Sequence, residues 1–192
     1  MTNPDIDPDI RPDIRPDIRQ LSMIQSKIRD VPDFPKPGIL FKDVTPLLAD
    51  GPALRATVEL LTARVKKHAP ELIVGIESRG FIFGAPVAER LGIGFAPARK
   101  PGKLPYKKVV ERYLLEYGED SIEMHEDAVQ GRRVVVIDDL LATGGTAAAA
   151  IKLCRRLGAE VVAAAFVIEL GFLNGREKLG GLPVDALLSY EG

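Results

Sequence analysis

The chain has 192 residues, of which 46% are hydrophobic and 28% charged, and its formal net charge is −1 at pH 7. This length corresponds to about one domain, and the balanced charge argues against a protein whose main partner is nucleic acid or an anionic membrane. The single cysteine, Cys154, excludes an internal disulfide framework. No basic segment followed by an apolar core opens the chain, and no apolar run reaches the roughly 18 residues of a membrane span, so we expect a cytoplasmic protein.

Residues 4–19 contain a four-residue unit, Pro-Asp-Ile followed by Arg or Asp, repeated four times. Proline at every fourth position disfavours a helix and biases the preceding residue toward extended conformations. The four isoleucines of this segment are too few to build a core. We therefore predict a disordered tail over residues 1–20 and a single domain over residues 21–192. A docking arm that packs on a partner subunit is the alternative for the tail.

After the tail, segments with apolar residues at helical spacing alternate with short apolar runs. Helices are predicted over residues 21–31, 53–68, 81–91 and 146–157. Strands are predicted over residues 72–76, 94–98, 133–137, 161–168 and 185–189, and a β-hairpin with strands over 109–117 and 121–125. Residues 33–46, which contain three prolines, are predicted to form an irregular loop with a short extended piece, and residues 100–108 are predicted to form a mobile loop. This alternation indicates an α/β fold with a mainly parallel, twisted sheet flanked by helices, and such sheets bind ligands beyond the carboxyl ends of their strands.

The segment VVVIDDLLATGGT, residues 134–146, carries the clearest chemical signal. A buried strand ends in two adjacent carboxylates, and a Thr-Gly-Gly-Thr turn then opens into a helix, whose first N–H groups and dipole favour an anion. No lysine follows the turn, which excludes the loop of nucleoside triphosphatases. Because carboxylates accept hydrogen bonds from hydroxyls, the spacing predicts a ribose 5-phosphate site, with a purely structural helix cap as the alternative. The ribose would be bound by Asp138 and Asp139, and the phosphate by Ala142, Thr143, Gly144, Gly145 and Thr146.

The same segment resembles the phosphoribosyl diphosphate motif of the type I phosphoribosyltransferase family, and the wider chain resembles the adenine branch of that family. Further matching segments follow in family order at residues 33–48, 77–92, 98–105, 115–118 and 175–180. The resemblance covers the chain from about Leu21 to the C-terminus. It implies the fold of that family, with a small N-terminal hood over about 21–48 and a flexible β-hairpin loop, and it implies a homodimer.

The resemblance also implies an activity in purine salvage, namely transfer of the 5-phosphoribosyl group from 5-phosphoribosyl diphosphate to adenine, which gives AMP and diphosphate. It assigns the diphosphate to Glu77, Ser78, Arg79 and Gly80 and to Lys100 and Lys103 of a basic loop that closes over the substrate. It assigns adenine to Leu40, Phe41 and Lys42, and it makes Glu116, Arg79 and Lys100 the catalytic residues. Magnesium would arrive with the substrate, without dedicated protein ligands.

A loop that aims successive N–H groups at a diphosphate often needs unusual dihedral angles. We therefore expect such geometry in residues 76–80, for instance a cis peptide next to Ser78. Two other functions stay open at this point. The base could be hypoxanthine or guanine, or the chain could be a regulator that senses 5-phosphoribosyl diphosphate without catalysis. A regulator would need a DNA-binding module or a basic RNA-binding face, and the sequence indicates neither.

Overall fold

The computed structural model describes residues 14–115 and 118–191. The chain divides into two units, Met1–Ala56 and Thr57–Gly192. Its helices are α1 (Ile14–Gln25), α2 (Thr45–Ala49), α3 (Gly51–Lys66), α4 (Arg79–Leu91) and α5 (Gly145–Arg156). Its strands are β1 (Arg29–Pro32), β2 (Leu40–Asp43), β3 (Leu72–Ile76), β4 (Gly94–Ala98), β5 (Lys108–Leu115), β6 (Gly118–His125), β7 (Arg133–Leu141), β8 (Glu160–Leu170) and β9 (Val184–Tyr190).

In the first unit, β1 and β2 form a two-stranded antiparallel sheet. Arg29 on β1 donates to the Asp43 carboxylate on β2 at 2.5 and 3.0 Å. The same carboxylate accepts from the hydroxyl and the backbone N–H of Thr45, at 2.6 and 2.8 Å, where α2 begins. The hydrogen bond from the Thr45 hydroxyl, followed by that from Arg29, lowers the pKa of Asp43 to about 2. This carboxylate therefore fixes the step from the sheet into α2.

The predicted helix over residues 21–31 is wrong in its bounds. Helix α1 begins at Ile14, inside the predicted tail, and residues 29–32 form a strand. Pro16 lies in the first turn of α1, where N–H groups have no intrahelical acceptor, so a proline there removes no hydrogen bond. The first thirteen residues of the predicted tail lie outside the described residues. The boundary at residue 20, the hood and the single domain over 21–192 stay predictions.

The second unit is built on a five-stranded sheet in the order β4-β3-β7-β8-β9, in which every neighbouring pair is parallel. This confirms the predicted parallel α/β fold. Strands β3 and β4 have the predicted bounds, and the strand predicted over 133–137 continues to Leu141, so that it includes both aspartates. Strands β3 and β7 are almost wholly buried, because helices cover both faces of such sheets.

Helix α4 packs closely on β3 and β7 because glycines lie on the face that it turns toward the sheet. A Cβ atom on Gly80 would lie 2.6 Å from the carbonyl oxygen of Ile137, and one on Gly84 would lie 3.0 Å from the ring of Phe95. Glycine disfavours helices in general, but here any side chain would push α4 off the sheet. The N-terminus of α4 is thereby held beside the end of β7.

Strands β5 and β6 form the predicted antiparallel hairpin. The second strand begins at Gly118 rather than at Ser121, so residues 118–120, predicted as a turn, belong to β6. Its inner residues Ile122 and Met124 are fully buried. The Met124 sulfur lies 3.8 Å from the Cys154 sulfur on α5, so this hairpin strand packs on the helix that follows β7.

The strand order defines where a ligand should bind in this unit. From β3 the chain crosses to β4 on one side, whereas β7 pairs with β3 on its other side. Parallel sheets bind ligands at the carboxyl ends of strands where the connections diverge in this way. Residues 77–80 follow β3 and residues 142–146 follow β7, so the two predicted anion-binding segments meet at this point. Within the described ranges, no helix has the length and apolar character needed to cross a membrane.

Candidate active site

The turn after β7 has the geometry of a phosphate cradle. Gly144 has a φ of +76°, which favours glycine, and it is the residue from which α5 starts. A Cβ atom on Gly144 would lie 2.3 Å from the carbonyl oxygen of Gly175, and one on Gly175 would lie 2.2 Å from that of Ala142. The predicted phosphate residues therefore rest directly on the short 3₁₀ turn Gly175–Leu179. Sequence reasoning assigned Gly175 no role beyond its place in a matching segment.

An ion pair holds that supporting turn. Arg176 donates to both oxygens of Glu169 at 2.5 and 2.6 Å, and also to the carbonyl oxygen of Val184 at 3.0 Å. Glu169 is buried near the end of β8. The hydrogen bond to Glu169 raises the pKa of Arg176. A bidentate pair of this kind fixes the orientation of the two side chains as well as their distance. The position of Gly175 beside the cradle is therefore fixed.

The two predicted ribose carboxylates have different surroundings. Asp139 is buried, and it accepts a short hydrogen bond from Arg79. Asp138 accepts from the backbone N–H of Asp139 at 2.9 Å, and within the described residues no cation lies within 4.0 Å of it. Burial, together with the neighbouring Asp139 carboxylate, raises the pKa of Asp138 well above its usual range. Asp139 therefore holds Arg79 near the cradle, whereas burial and the adjacent carboxylate disfavour the charged form of Asp138.

The segment after β3 confirms the expected backbone geometry, because the peptide bond Glu77–Ser78 is cis. Helix α4 begins immediately afterwards, at Arg79. The resemblance assigns Gly80 to the diphosphate. The structure shows in addition that this glycine packs against the backbone of β7 at Ile137.

The Glu77 carboxylate holds the basic loop. It accepts from the Lys103 ammonium at 2.5 Å, from the backbone N–H of Lys100 at 2.9 Å and from the Arg99 guanidinium at 3.2 Å. Burial alone would raise the pKa of Glu77, but these hydrogen bonds, led by Lys103, outweigh it and lower the pKa to about 2. An ionised carboxylate repels a diphosphate, so any direct contact of Glu77 with that ligand would involve its backbone. Sequence reasoning missed Arg99, although it lies in one of the matching segments.

Lys100 is held by the hairpin. Its ammonium donates a short hydrogen bond to Asp120 on β6 and another, of 3.0 Å, to the Tyr113 hydroxyl on β5. Burial alone would lower the pKa of Lys100, but these partners raise it, so the side chain stays a cation. The hydroxyl of Thr146 in the cradle lies 3.3 Å from the Tyr113 hydroxyl. Lys100 and the cradle thus share a neighbour, which no periodicity or motif in the sequence indicated.

The structure brings together the predicted residues of the second unit. At the diverging strand ends lie the cradle, the two aspartates and residues 77–80. Lys100 is linked to Thr146 through the Tyr113 hydroxyl, and Lys103 bonds directly to Glu77. The predicted adenine residues lie on β2 of the first unit, where Phe41 packs edge-on against Phe34 with ring centroids 5.1 Å apart and Lys42 pairs with Asp30 at 2.7 Å. The predicted catalytic Glu116 lies outside the described residues.

A cavity of about 580 Å³ opens at the opposite edge of the sheet, lined by Lys67, Arg133, Arg155 and Glu160 among others. Arg133 is paired there with Glu160 at 2.8 Å. Basic side chains at the ends of α3 and α5 complement the helix dipoles. Because the amino ends of parallel strands are not where such sheets bind substrates, we place the active site at the other edge.

Comparison with known proteins agrees with this geometry. Residues 46–179 match the family model of the phosphoribosyl transferase domain. Adenine phosphoribosyltransferase from Desulfitobacterium hafniense is 57% identical over 164 residues, which are 85% of this chain and 95% of that protein. The enzyme of the same name from Rhodospirillum centenum is 59% identical over 169 residues, with 88% and 98% covered.

Solved structures give the same result. The crystal structure of adenine phosphoribosyltransferase from Thermoanaerobacter pseudethanolicus superposes with a TM-score of 0.86 at 50% identity, covering 88% of this chain and 99% of that one. The enzyme of this name from Saccharomyces cerevisiae, complexed with adenine and an imino-altritol bisphosphate, gives a TM-score of 0.85 at 38% identity, with 89% and 99% covered. Sequence, fold and site geometry thus agree, and the chain belongs to the adenine phosphoribosyltransferases within the phosphoribosyltransferase family.

Proposed function

We propose that the protein transfers the 5-phosphoribosyl group of 5-phosphoribosyl diphosphate to adenine, releasing AMP and diphosphate in purine salvage. The observation that carries this function is the meeting of a phosphate cradle, an acidic pair and a cationic loop at one edge of the sheet, in a chain of this family. A sugar that carries a phosphate at one end and a diphosphate at the other fits this arrangement, in which the acidic pair accompanies an anion-binding cradle and a cationic loop.

In this proposal, residues 142–146 bind the 5-phosphate through the first N–H groups of α5 and the hydroxyls of Thr143 and Thr146. Asp138 and Asp139 accept hydrogen bonds from the ribose hydroxyls. Support comes from the close packing of Gly144 on Gly175, since a preformed cradle orders less chain when the ligand binds. It comes also from the position of both aspartates on β7, which pairs with β3 up to Ile137 and with β8 as far as Leu141.

The reaction breaks the bond from the anomeric carbon to the diphosphate oxygen and forms a bond from that carbon to a ring nitrogen of adenine. Positive charge develops on the sugar and negative charge on the leaving diphosphate. Arg79 and Lys100, with Lys103 and the backbone of residues 77–80, stabilise the leaving group as fixed donors. Asp139 keeps Arg79 oriented for this task, because its buried carboxylate accepts from the guanidinium.

The residues present fit a magnesium ion that arrives on the diphosphate. Asp138 and Asp139 offer carboxylate oxygens, which this hard cation prefers. The other ligands would be oxygens of the substrate with which the ion arrives. Bound magnesium offsets negative charge on the diphosphate.

Adenine is held by Leu40, Phe41 and Lys42, with the Phe41 ring stacked on the base and backbone groups forming hydrogen bonds to it. The adenine ring nitrogen loses a proton as it bonds to the sugar, and Glu116 accepts that proton or positions the base. The protein acts as a homodimer in the cytoplasm. Family membership supports the dimer.

Incubation with 5-phosphoribosyl diphosphate and magnesium, with adenine, hypoxanthine or guanine offered in turn, tests the function. We expect nucleotide only from adenine, measured by chromatography. Equal use of hypoxanthine or guanine would contradict the base assignment. Tight binding of 5-phosphoribosyl diphosphate without turnover of any base would favour the regulator.

A further inference from the structure

The ammonium group of Lys100 is occupied by the chain itself. Its partners come from both strands of the hairpin, the Asp120 carboxylate on β6 and the Tyr113 hydroxyl on β5. The two charged side chains are about one-third exposed, at 35% for Lys100 and 28% for Asp120. Lys100 is also the cation that the proposed function gives to the diphosphate. The Asp120 carboxylate therefore already binds the ammonium group to which an incoming anion would have to bind.

The location of this ion pair ties it to the active site. The Tyr113 hydroxyl lies 3.0 Å from the Lys100 nitrogen, 3.1 Å from an Asp120 oxygen and 3.3 Å from the Thr146 hydroxyl. Thr146 belongs to the phosphate cradle. Lys100 and its carboxylate partner are therefore linked to the cradle through a single side chain, that of Tyr113.

Asp120 remains well supported when Lys100 leaves it. Its other contacts are the backbone N–H of Ser121 at 2.7 Å and the Tyr113 hydroxyl at 3.1 Å. A carboxylate that keeps two hydrogen bonds loses little by giving up a third partner. A diphosphate carries several negative charges against the single charge of Asp120, so it can attract the ammonium away.

We propose that Asp120 competes with the diphosphate of the substrate for Lys100 and thereby weakens the affinity of the enzyme for 5-phosphoribosyl diphosphate. The proposal rests on the proposed role of Lys100. It makes Asp120 a residue that sets substrate affinity through Lys100, without a contact of its own to the substrate. Removal of the carboxylate should therefore improve binding, in contrast to the effect of most substitutions in an active site.

The test is the affinity of full-length protein for inorganic diphosphate with magnesium, measured by isothermal titration calorimetry. We expect Asp120→Asn to lower the Kd about two- to fivefold, the range for a partly exposed ion pair. Asp127→Asn is the matched control, because it removes an exposed carboxylate just after β6 that has no partner among the described residues. This control should leave the Kd unchanged, which separates local competition from a change in net charge.

The second part of the experiment uses the variant Lys100→Ala. It should weaken diphosphate binding, and Asp120→Asn added to Lys100→Ala should then have no further effect. If Asp120→Asn weakens binding as Lys100→Ala does, Asp120 positions Lys100 and the competition is refuted. No change from Asp120→Asn, with weaker binding from Lys100→Ala, also refutes it. If Lys100→Ala itself leaves the Kd unchanged, the proposed role of Lys100 is the part that fails.

Discussion

Replacement of Gly175 by alanine tests whether the 3₁₀ turn positions the phosphate cradle. The added methyl carbon would lie 2.2 Å from the carbonyl oxygen of Ala142, whereas ordinary contacts begin at 3.4 Å, so the cradle or the turn must move by about 1.2 Å. The turn is fixed by the bond of Arg176 to buried Glu169. We therefore expect the cradle to move.

A displacement of about 1 Å in a group that positions a substrate can lower the rate about 10²-fold. We thus expect Gly175→Ala to lower kcat/KM for 5-phosphoribosyl diphosphate about 10²-fold, which corresponds to about 2.7 kcal/mol of transition-state stabilisation. Binding of ribose 5-phosphate, measured by calorimetry, should weaken in parallel, because the displaced groups are those that would bind its phosphate.

The matched control is Gly51→Ala at the start of α3. No atom lies within 4 Å of a Cβ at that position, so its kinetics should match those of the unmodified protein, and its melting temperature should be equal or slightly higher because alanine favours a helix over glycine. Circular dichroism melting of Gly175→Ala separates a displaced cradle from an unfolded chain. If Gly175→Ala is folded and keeps kcat/KM within about threefold, the turn does not position the cradle and the reasoning fails.

Three further predictions concern carboxylates. Asp138→Asn and Asp139→Asn should each lower kcat/KM for 5-phosphoribosyl diphosphate some tens-fold without unfolding the protein, since a charge-assisted hydrogen bond contributes about 1.5–3 kcal/mol; unaltered kinetics in both would remove the ribose assignment. Glu116→Leu should lower kcat about 10²–10⁴-fold with KM for adenine retained, and a rise in KM alone would limit Glu116 to binding. Glu77, with its pKa lowered from 4.5 to about 2, stabilises the folded protein fully above pH 4.5 and progressively less toward pH 2. The difference in Tm between wild type and Glu77→Gln should therefore shrink across that window, and a constant difference would show that the ionised carboxylate adds no stability.

Sequence patterns predicted the sheet well because its inner strands β3 and β8 consist mostly of buried apolar residues. The runs at 72–76 and 94–98 were assigned with the observed bounds, since each is a short apolar segment between turn signals. Helix α1 was placed seven residues too late because proline was treated as a helix breaker at every position. The effect of a proline depends on whether it lies in the first turn of a helix or in its interior. The sequence alone does not show where the helix begins.

The cradle was predictable because its residues are consecutive, whereas its supports are not. Arg79 and Asp139 are 60 positions apart, and Lys100 and Asp120 are 20 apart. Such pairs depend on strand order and on the register of the hairpin, which local patterns do not specify. The resemblance named residues 77–80 and Lys103 as diphosphate ligands, but it could not indicate that Glu77 binds the cations of the basic loop.

The sulfur contact between the hairpin and α5 makes Cys154 a natural probe of motion in this part of the protein. Burial raises the pKa of Cys154 to about 12, so the thiol is neutral and shielded from alkylating reagents while Met124 of β6 covers it. The thiol can be modified only when the core around it opens, and separation of this strand from the helix is one such opening. Because Cys154 is the single cysteine of the chain, its alkylation rate measures how often this part of the core opens. Comparison of that rate with and without substrate would show, in the unmodified protein, whether substrate binding holds the hairpin in place.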